Sequence, residues 1–162
     1  MAEPSIFGDE EAEFLKELVC QKVDFMIVGL SAAALQGAPV VTQDVDLWFR
    51  VLSDPGIEAA LKKVHGCYVP PIMSHPPMFA GEAVKLFDIV TNMDGLGEFE
   101  DECENTIKLR LGRTNVLVLK LERIIVSKKA AGREKDKLVL KVLQDALKVI
   151  QEREGSENGK SQ

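Results

Sequence analysis

The chain has 162 residues, a mass of 17.9 kDa and a net charge of −6 at pH 7, which suits a single globular domain. Hydrophobic residues make up 46% and charged residues 28%, so a wholly disordered chain and a collagen are excluded. No apolar run approaches the roughly 18 residues that a membrane span needs, and the acidic N-terminal segment is unlike a signal peptide. We therefore expect a cytoplasmic protein with no membrane partner.

The charge is distributed unevenly. Residues 120–162 carry 11 basic and 7 acidic side chains, whereas residues 1–119 carry 9 basic and 19 acidic ones. The acidic overall balance argues against sequence-independent wrapping of nucleic acid, but a phosphate-rich ligand between the two parts is compatible with it. Three cysteines without paired spacing predict free thiols in a reducing compartment.

The first half of the chain alternates helices with short strands. Apolar spacing, caps and breaks predict a helix over 9–22, a strand over 24–28, a short helix over 31–35, a strand over 43–51 and a helix over 54–64. Gly29 ends the first strand, and Ser31 opens the short helix. Asp54 is the predicted cap of the 54–64 helix, with Pro55 at its first position.

The second half contains further strands and two helices near its end. Its pattern predicts an irregular proline-rich loop over 66–81, a strand over 84–90, a short acidic helix or loop over 97–106, paired strands over 106–111 and 115–119, a helix from 120, and a long helix near 133–153. The fold class is α/β: a small mixed β-sheet with flanking helices, ending in the long C-terminal helix. We expect one domain over 1–154 and a disordered tail over 155–162.

The apolar residues of the long helix cover about 200° of its circumference, which is wider than a helix covered on one face requires. Two interpretations stay open. The helix is either packed deeply between two layers or shared with another subunit.

Asp44 and Asp46 are two residues apart on a predicted strand. Their side chains should leave the same face, with Cα atoms about 6.6 Å apart. Asp88 lies in the apolar strand 84–90 and would reach the same point if the two strands are neighbours. Clustered carboxylates repel one another, and a hard divalent cation such as Mg²⁺ or Mn²⁺ offsets that repulsion. The alternative is a surface strand of alternating charge.

The stretch Gly29-Leu30-Ser31 joins a strand to a helix. In this layout backbone N–H groups face an anion, and glycine permits a close approach. The order of strand, Gly-x-Ser, short helix, Thr42-Gln43-Asp44-Val45-Asp46 and a later Asp88 resembles the nucleotidyltransferase superfamily that includes DNA polymerase beta. It is similar in particular to the small minimal nucleotidyltransferases and their toxin–antitoxin relatives. The segment 118–136 extends the resemblance to the helices after the sheet.

The resemblance implies roles by position. Asp44 and Asp46 match the metal-binding pair, and Asp88 matches the third carboxylate, which acts as general base or completes a second metal site. Gly29 and Ser31 fall in the phosphate-binding turn. Two positions depart from the family pattern, because Leu30 stands where Gly or Ser is usual and Val40 stands near a common Arg.

A basic cluster on the last two helices consists of Lys128, Lys129, Arg133 and Lys135. Lys128 and Arg133 are the candidates for nucleotide binding, with a solvated, ion-paired helix face as the alternative. The first functional hypothesis is a Mg²⁺-dependent transfer of a nucleoside monophosphate from an NTP to a hydroxyl on protein, RNA or a small molecule. The second is a non-catalytic binding module, such as an antitoxin-like or regulatory partner protein, and a homo-oligomer is compatible with both.

Overall fold

The computed structural model describes residues 7–159. Five strands form the main sheet in the order β5-β2-β1-β7-β6, with bounds β1 Phe25–Val28, β2 Val45–Phe49, β5 Phe87–Val90, β6 Thr106–Leu111 and β7 Thr114–Leu119. The β1/β2 and β6/β7 pairs are antiparallel, whereas β2/β5 and β1/β7 are parallel. The predicted mixed sheet is thus confirmed.

Six helices surround this sheet within the described residues: α1 Asp9–Cys20, α2 Gly29–Leu35, α3 Pro55–Lys63, α4 Phe99–Glu102, α5 Leu121–Ala131 and α6 Glu134–Gly159. Helix α1 packs against α3 and β7, and α2 packs against β1, β2 and α5. The predicted cap of α3 is confirmed, since the Asp54 side chain accepts a hydrogen bond from the Gly56 N–H and Pro55 occupies the first turn. No helix in residues 7–159 is long and apolar enough to cross a membrane.

The core lies between the helices and the sheet. Strand β1 is buried at all four positions, because it is the central strand and is covered on both faces. Trp48 on β2 is also buried and meets Phe99 edge-on at 5.7 Å between ring centroids. The aromatic side chain and its apolar neighbours hold β2 in place, and β2 carries one of the candidate site residues.

The predictions for two segments, the loop over 66–81 and the C-terminal tail, are wrong. The segment 66–81 is not wholly irregular, because β3 Cys67–Val69 and β4 Met78–Ala80 pair as a small antiparallel sheet. Its four prolines all fall between the two strands, where no ladder N–H is needed. The tail also differs, since α6 continues through residues 155–159 with exposed side chains. Helix propagation costs little once the helix has formed. Residues 160–162 lie outside the described residues.

The long helix α6 is not packed deeply on all its apolar sides. It packs against α5, and Leu143 is its one fully buried apolar side chain within the described residues. Leu138 and Val149 remain 80% and 46% exposed. The interpretation of a helix packed between two layers is therefore wrong for the single chain, and an interface with a second subunit stays a prediction.

Candidate active site

Asp46 lies at the point where three elements of the fold meet. In the sheet register it stands opposite Val28 at the end of β1 and opposite Asp88 on β5. Paired strands are about 4.8 Å apart, so the two carboxylate-bearing residues are direct neighbours. Asp88 was expected to reach Asp46 only if their strands are neighbours, and in the structure they are.

The environment of Asp46 favours its neutral form. Burial, then the charge of Asp88 and that of Asp44, raise the pKa of Asp46 from 3.8 to about 6, while Lys128 and Lys135 act in the opposite direction. Burial and the Asp44 charge also raise the pKa of Asp88. Carboxyl groups whose ionisation is disfavoured by burial and by neighbouring carboxylates, as at Asp46 and Asp88, are typical of a site that receives a positive charge.

Asp44 is placed differently from its prediction. Strand β2 begins at Val45, so Asp44 lies one residue before the strand and not within it. The Thr42 hydroxyl donates to the Asp44 carbonyl at 2.8 Å and fixes this turn. Asp44 and Asp88 are exposed, whereas Asp46 is half-buried. All three side chains line the same cleft.

Gly29 contacts Asp46 so closely that no side chain fits between them. Its φ is +69°, in the left-handed region that favours glycine. A Cβ built at this position would overlap a carboxylate oxygen of Asp46. The glycine therefore brings the backbone of the β1–α2 turn against the Asp46 carboxylate, and its predicted contact with a phosphate stays a prediction.

Ser31 has a different place from the one that the resemblance implied. It is fully buried, and its hydroxyl donates to the Val28 carbonyl at 2.8 Å while accepting from the Asp46 backbone N–H at 3.3 Å. Both hydrogen bonds are internal and join the end of β1 to β2. Ser31 thus fixes the backbone of Asp46 and does not line the cleft.

Basic side chains line the same cleft as the carboxylates. Lys128 of α5, with Arg133 and Lys135 at the start of α6, lines the cleft together with the three carboxylates. Gly132 separates the two helices in a left-handed conformation with φ of +61°, which turns the chain so that both helices present cations to the sheet. Lys129 belongs to the predicted cluster but does not line the cleft.

Asp136 is a residue of this site that the sequence interpretation treated only as an ion-pair partner. It is 1% exposed, and it binds Lys128 at 3.2 Å and Arg133 at 2.7 Å. These interactions lower the pKa of Asp136 to about 2, and the hydrogen bond from Arg133 has the largest effect. The sequence signal that could have identified Asp136 is an acidic residue three positions after a helix N-cap.

The cleft has a volume of about 440 Å³, which is within the range of small-molecule sites. Leu30, Val90 and Val139 supply its apolar lining. Leu30 is half-buried, because it both lines the cleft and packs against the core. Val40 packs against the core and does not line the cleft.

The donor set suits a hard divalent cation. Asp44, Asp46 and Asp88 offer carboxylate oxygens, which Mg²⁺ and Mn²⁺ prefer, and a cation would offset the burial and the carboxylate repulsion that raise the pKa of Asp46. Within residues 7–159, no group of three or more His, Cys, Asp or Glu side chains is placed so that it could hold a metal ion. The residue types fit the ion, but their side-chain positions in this structure do not form a metal site.

Comparison of the whole structure with solved structures decides the fold. The chain superposes on the crystal structure of ANT(2'')-Ia in complex with adenylyl-2''-tobramycin with a TM-score of 0.57 at 14% identity, covering 83% of this chain and 86% of that one. The fold is that of the nucleotidyltransferases. The solution structure of ANT(2'')-Ia, an antibiotic-resistance factor, gives a TM-score of 0.53 at 12% identity over 92% of this chain and 93% of that one.

A further structure with the nucleotidyltransferase fold is an antigenic nucleotidyltransferase-like protein from Paracoccidioides brasiliensis. It matches with a TM-score of 0.56 at 15% identity, over 88% of this chain and 78% of that one. No protein-family model matches the sequence, and no curated protein matches it. These solved structures confirm the expected fold. Their sequence identities to this chain are too low for the sequence comparisons to detect the similarity.

Proposed function

We propose that this chain is a Mg²⁺- or Mn²⁺-dependent nucleotidyltransferase that moves a nucleoside monophosphate from an NTP to a hydroxyl group of an acceptor. One observation carries the proposal. Asp46 and Asp88 stand in register on β2 and β5, in a cleft that Lys128, Arg133 and Lys135 also line. The nucleotidyltransferase fold of the neighbouring structures supports the same chemistry.

The carboxylates of Asp44, Asp46 and Asp88 would hold the cation, which supplies charge neutralisation at the phosphates when it is bound. The three basic side chains that line the cleft, Lys128, Arg133 and Lys135, would bind the triphosphate. Asp88 is exposed and has a raised pKa, so its carboxylate is suited to accept the proton of the acceptor hydroxyl. The acceptor oxygen then bonds to the α-phosphorus, and the bond from that phosphorus to the bridging oxygen breaks, releasing pyrophosphate.

The acceptor is a protein, an RNA or a small molecule that carries a hydroxyl. The complex of ANT(2'')-Ia contains adenylyl-2''-tobramycin, and on that basis small molecules with hydroxyl groups are the first acceptors to test. The cleft is open to solvent at Asp44 and Asp88, which leaves room for an acceptor beside the carboxylates.

The test uses each of four NTPs labelled at the α-phosphate, with Mg²⁺ or Mn²⁺ and either a cell lysate or a panel of aminoglycosides. We expect transfer of label to one acceptor class by the wild type and loss of that transfer in Asp46→Asn. Asp145→Asn is the matched control, because Asp145 is an exposed carboxylate on α6 that pairs with Lys141. Transfer by Asp46→Asn at the wild-type rate would contradict the proposed site.

A second function is favoured by Leu30, which lines the cleft where the triphosphate would lie. Under this alternative the chain is a non-catalytic binding module, such as an antitoxin-like or regulatory partner protein. It predicts no NTP binding by the wild type and measurable binding by Leu30→Gly, which removes a side chain that lines the cleft. Wild-type binding of an NTP with Mg²⁺ would favour the enzyme instead.

A further inference from the structure

Asp136 binds two of the three basic side chains that line the cleft, Lys128 and Arg133. Its Oδ1 is 3.2 Å from the Lys128 Nζ, and its Oδ2 accepts from the Arg133 Nε at 2.7 Å. The Arg133 Nη2 also donates to Oδ1 at 3.4 Å. One buried carboxylate thus connects the last turns of α5 to the first turn of α6.

The two cations differ in how much the protein around them restricts their movement. Arg133 has a side chain that is 57% exposed, whereas that of Lys128 is 18% exposed and that of Asp136 is 1% exposed. A long side chain at a cleft mouth samples many rotamers, and ordering it on ligand binding reduces affinity. The bond to Asp136 orders Arg133 before any ligand arrives.

We propose that Asp136 is a positioning residue that holds Lys128 and Arg133 as a paired cationic clamp for the phosphates of the nucleotide. The proposal rests on the proposed function of the cleft. Lys128 and Arg133 use part of their donors on Asp136, and the guanidinium has five donors and the ammonium three. Donors remain on both groups for a phosphate, so the clamp can bind anions while Asp136 keeps its bonds.

A purely structural role for Asp136 makes different predictions. Its Oδ2 also accepts from the Arg133 backbone N–H at 3.2 Å, so the residue stabilises the start of α6 as a carboxylate at the third helical position does. Asp136→Asn retains an oxygen acceptor for that N–H and removes the charge. If only electrostatics mattered, removing a negative charge beside two cations would strengthen anion binding. Positioning predicts the opposite sign.

The experiment measures the binding of two probes by calorimetry, well below the thermal midpoint of each variant. The probes are inorganic tripolyphosphate without metal, and non-hydrolysable analogues of the four NTPs with Mg²⁺. We expect Asp136→Asn to weaken both by about tenfold, as for loss of an oriented charge-assisted pair. Asp145→Asn, the exposed carboxylate on the same helix, should leave both unchanged.

A double-mutant cycle identifies the route of the effect. In a background with Lys128→Met and Arg133→Met, Asp136→Asn should cause no further loss, because residues that act through the same group are not additive. Asp136→Glu, which keeps the charge and displaces the carboxylate, should also weaken both probes, and it serves if the Asn variant does not fold.

The outcomes separate the two proposals. Equal or tighter tripolyphosphate binding by Asp136→Asn overturns the positioning role and leaves the proposed function intact. Weakened tripolyphosphate binding, with no NTP analogue bound by the wild type, supports the clamp and overturns the nucleotidyltransferase function. Wild-type protein that binds neither probe overturns both.

Discussion

Replacing Asp46 by Asn tests whether the carboxylate cluster is kept at the expense of stability. The folded-state pKa of Asp46 is about 6, above its ordinary value of 3.8. The folded protein therefore binds more protons than the unfolded chain between these values, and the free energy of unfolding falls as the pH rises through that window. Asn keeps the shape and removes the titration, so it should abolish this part of the pH dependence.

The magnitude follows from the pKa. A rise from 3.8 to about 6 corresponds to about 3 kcal/mol at about 1.4 kcal/mol per pKa unit. Asp46 is half-buried at a cleft that admits solvent, and screening reduces the effect to about 1–2 kcal/mol. We expect metal-free Asp46→Asn to be more stable than the wild type by this amount above pH 6, and equally stable below about pH 4.

The assay is urea denaturation of both proteins from pH 4 to 8, with chelator and with saturating Mn²⁺. Metal that binds only the folded state stabilises it by mass action, so the cation should stabilise the wild type more than the variant. Asp145→Asn, an exposed carboxylate of α6, controls for the general loss of one charge. Equal stabilities of wild type and Asp46→Asn at pH 4 and pH 8 would refute the reasoning, as would equal stabilisation of both by Mn²⁺.

Three other changes have clear expected outcomes. Gly29→Ala should lose stability and metal affinity together, since the new Cβ would displace the Asp46 carboxylate. Gly112→Ala is the matched control, because Gly112 has a similar φ of +65° and open space around it. In thermal denaturation this control should lose only the left-handed backbone penalty of about 1–2 kcal/mol. Leu143→Asp should lower the free energy of unfolding by about 4 kcal/mol or more, because Leu143 is fully buried. Leu138→Asp should leave it unchanged in a monomer, because Leu138 is 80% exposed. If sedimentation shows that the wild type is a dimer, Leu138→Asp should dissociate it. Truncation after Glu154 should leave the thermal midpoint almost unchanged, since the residues removed up to 159 are exposed, and a fall of many degrees would contradict this.

The sequence predicted the strands that carry the site with small errors at their ends. Asp88 was expected to meet Asp46 only if the strands adjoined, and the register of β2 with β5 confirms that they do. Asp44 was placed in the strand, but β2 begins one residue later. Ser31 was assigned to the phosphate turn through the resemblance, and a local motif could not indicate that its hydroxyl bonds the Val28 carbonyl and the Asp46 N–H.

Local chemistry determined much of this protein. The cap at Asp54, the glycines that end β1 and separate α5 from α6, and the acidic residues on apolar strands depend on interactions within a few residues, so the sequence alone predicts them. Only the tertiary structure decided that the basic start of α6 faces the carboxylates and that Asp136 lies buried between Lys128 and Arg133. The tertiary structure also decided which side of α6 stays exposed. These features depend on how α5 and α6 pack against each other and against the sheet, and residue spacing along one chain does not encode the distance between two elements.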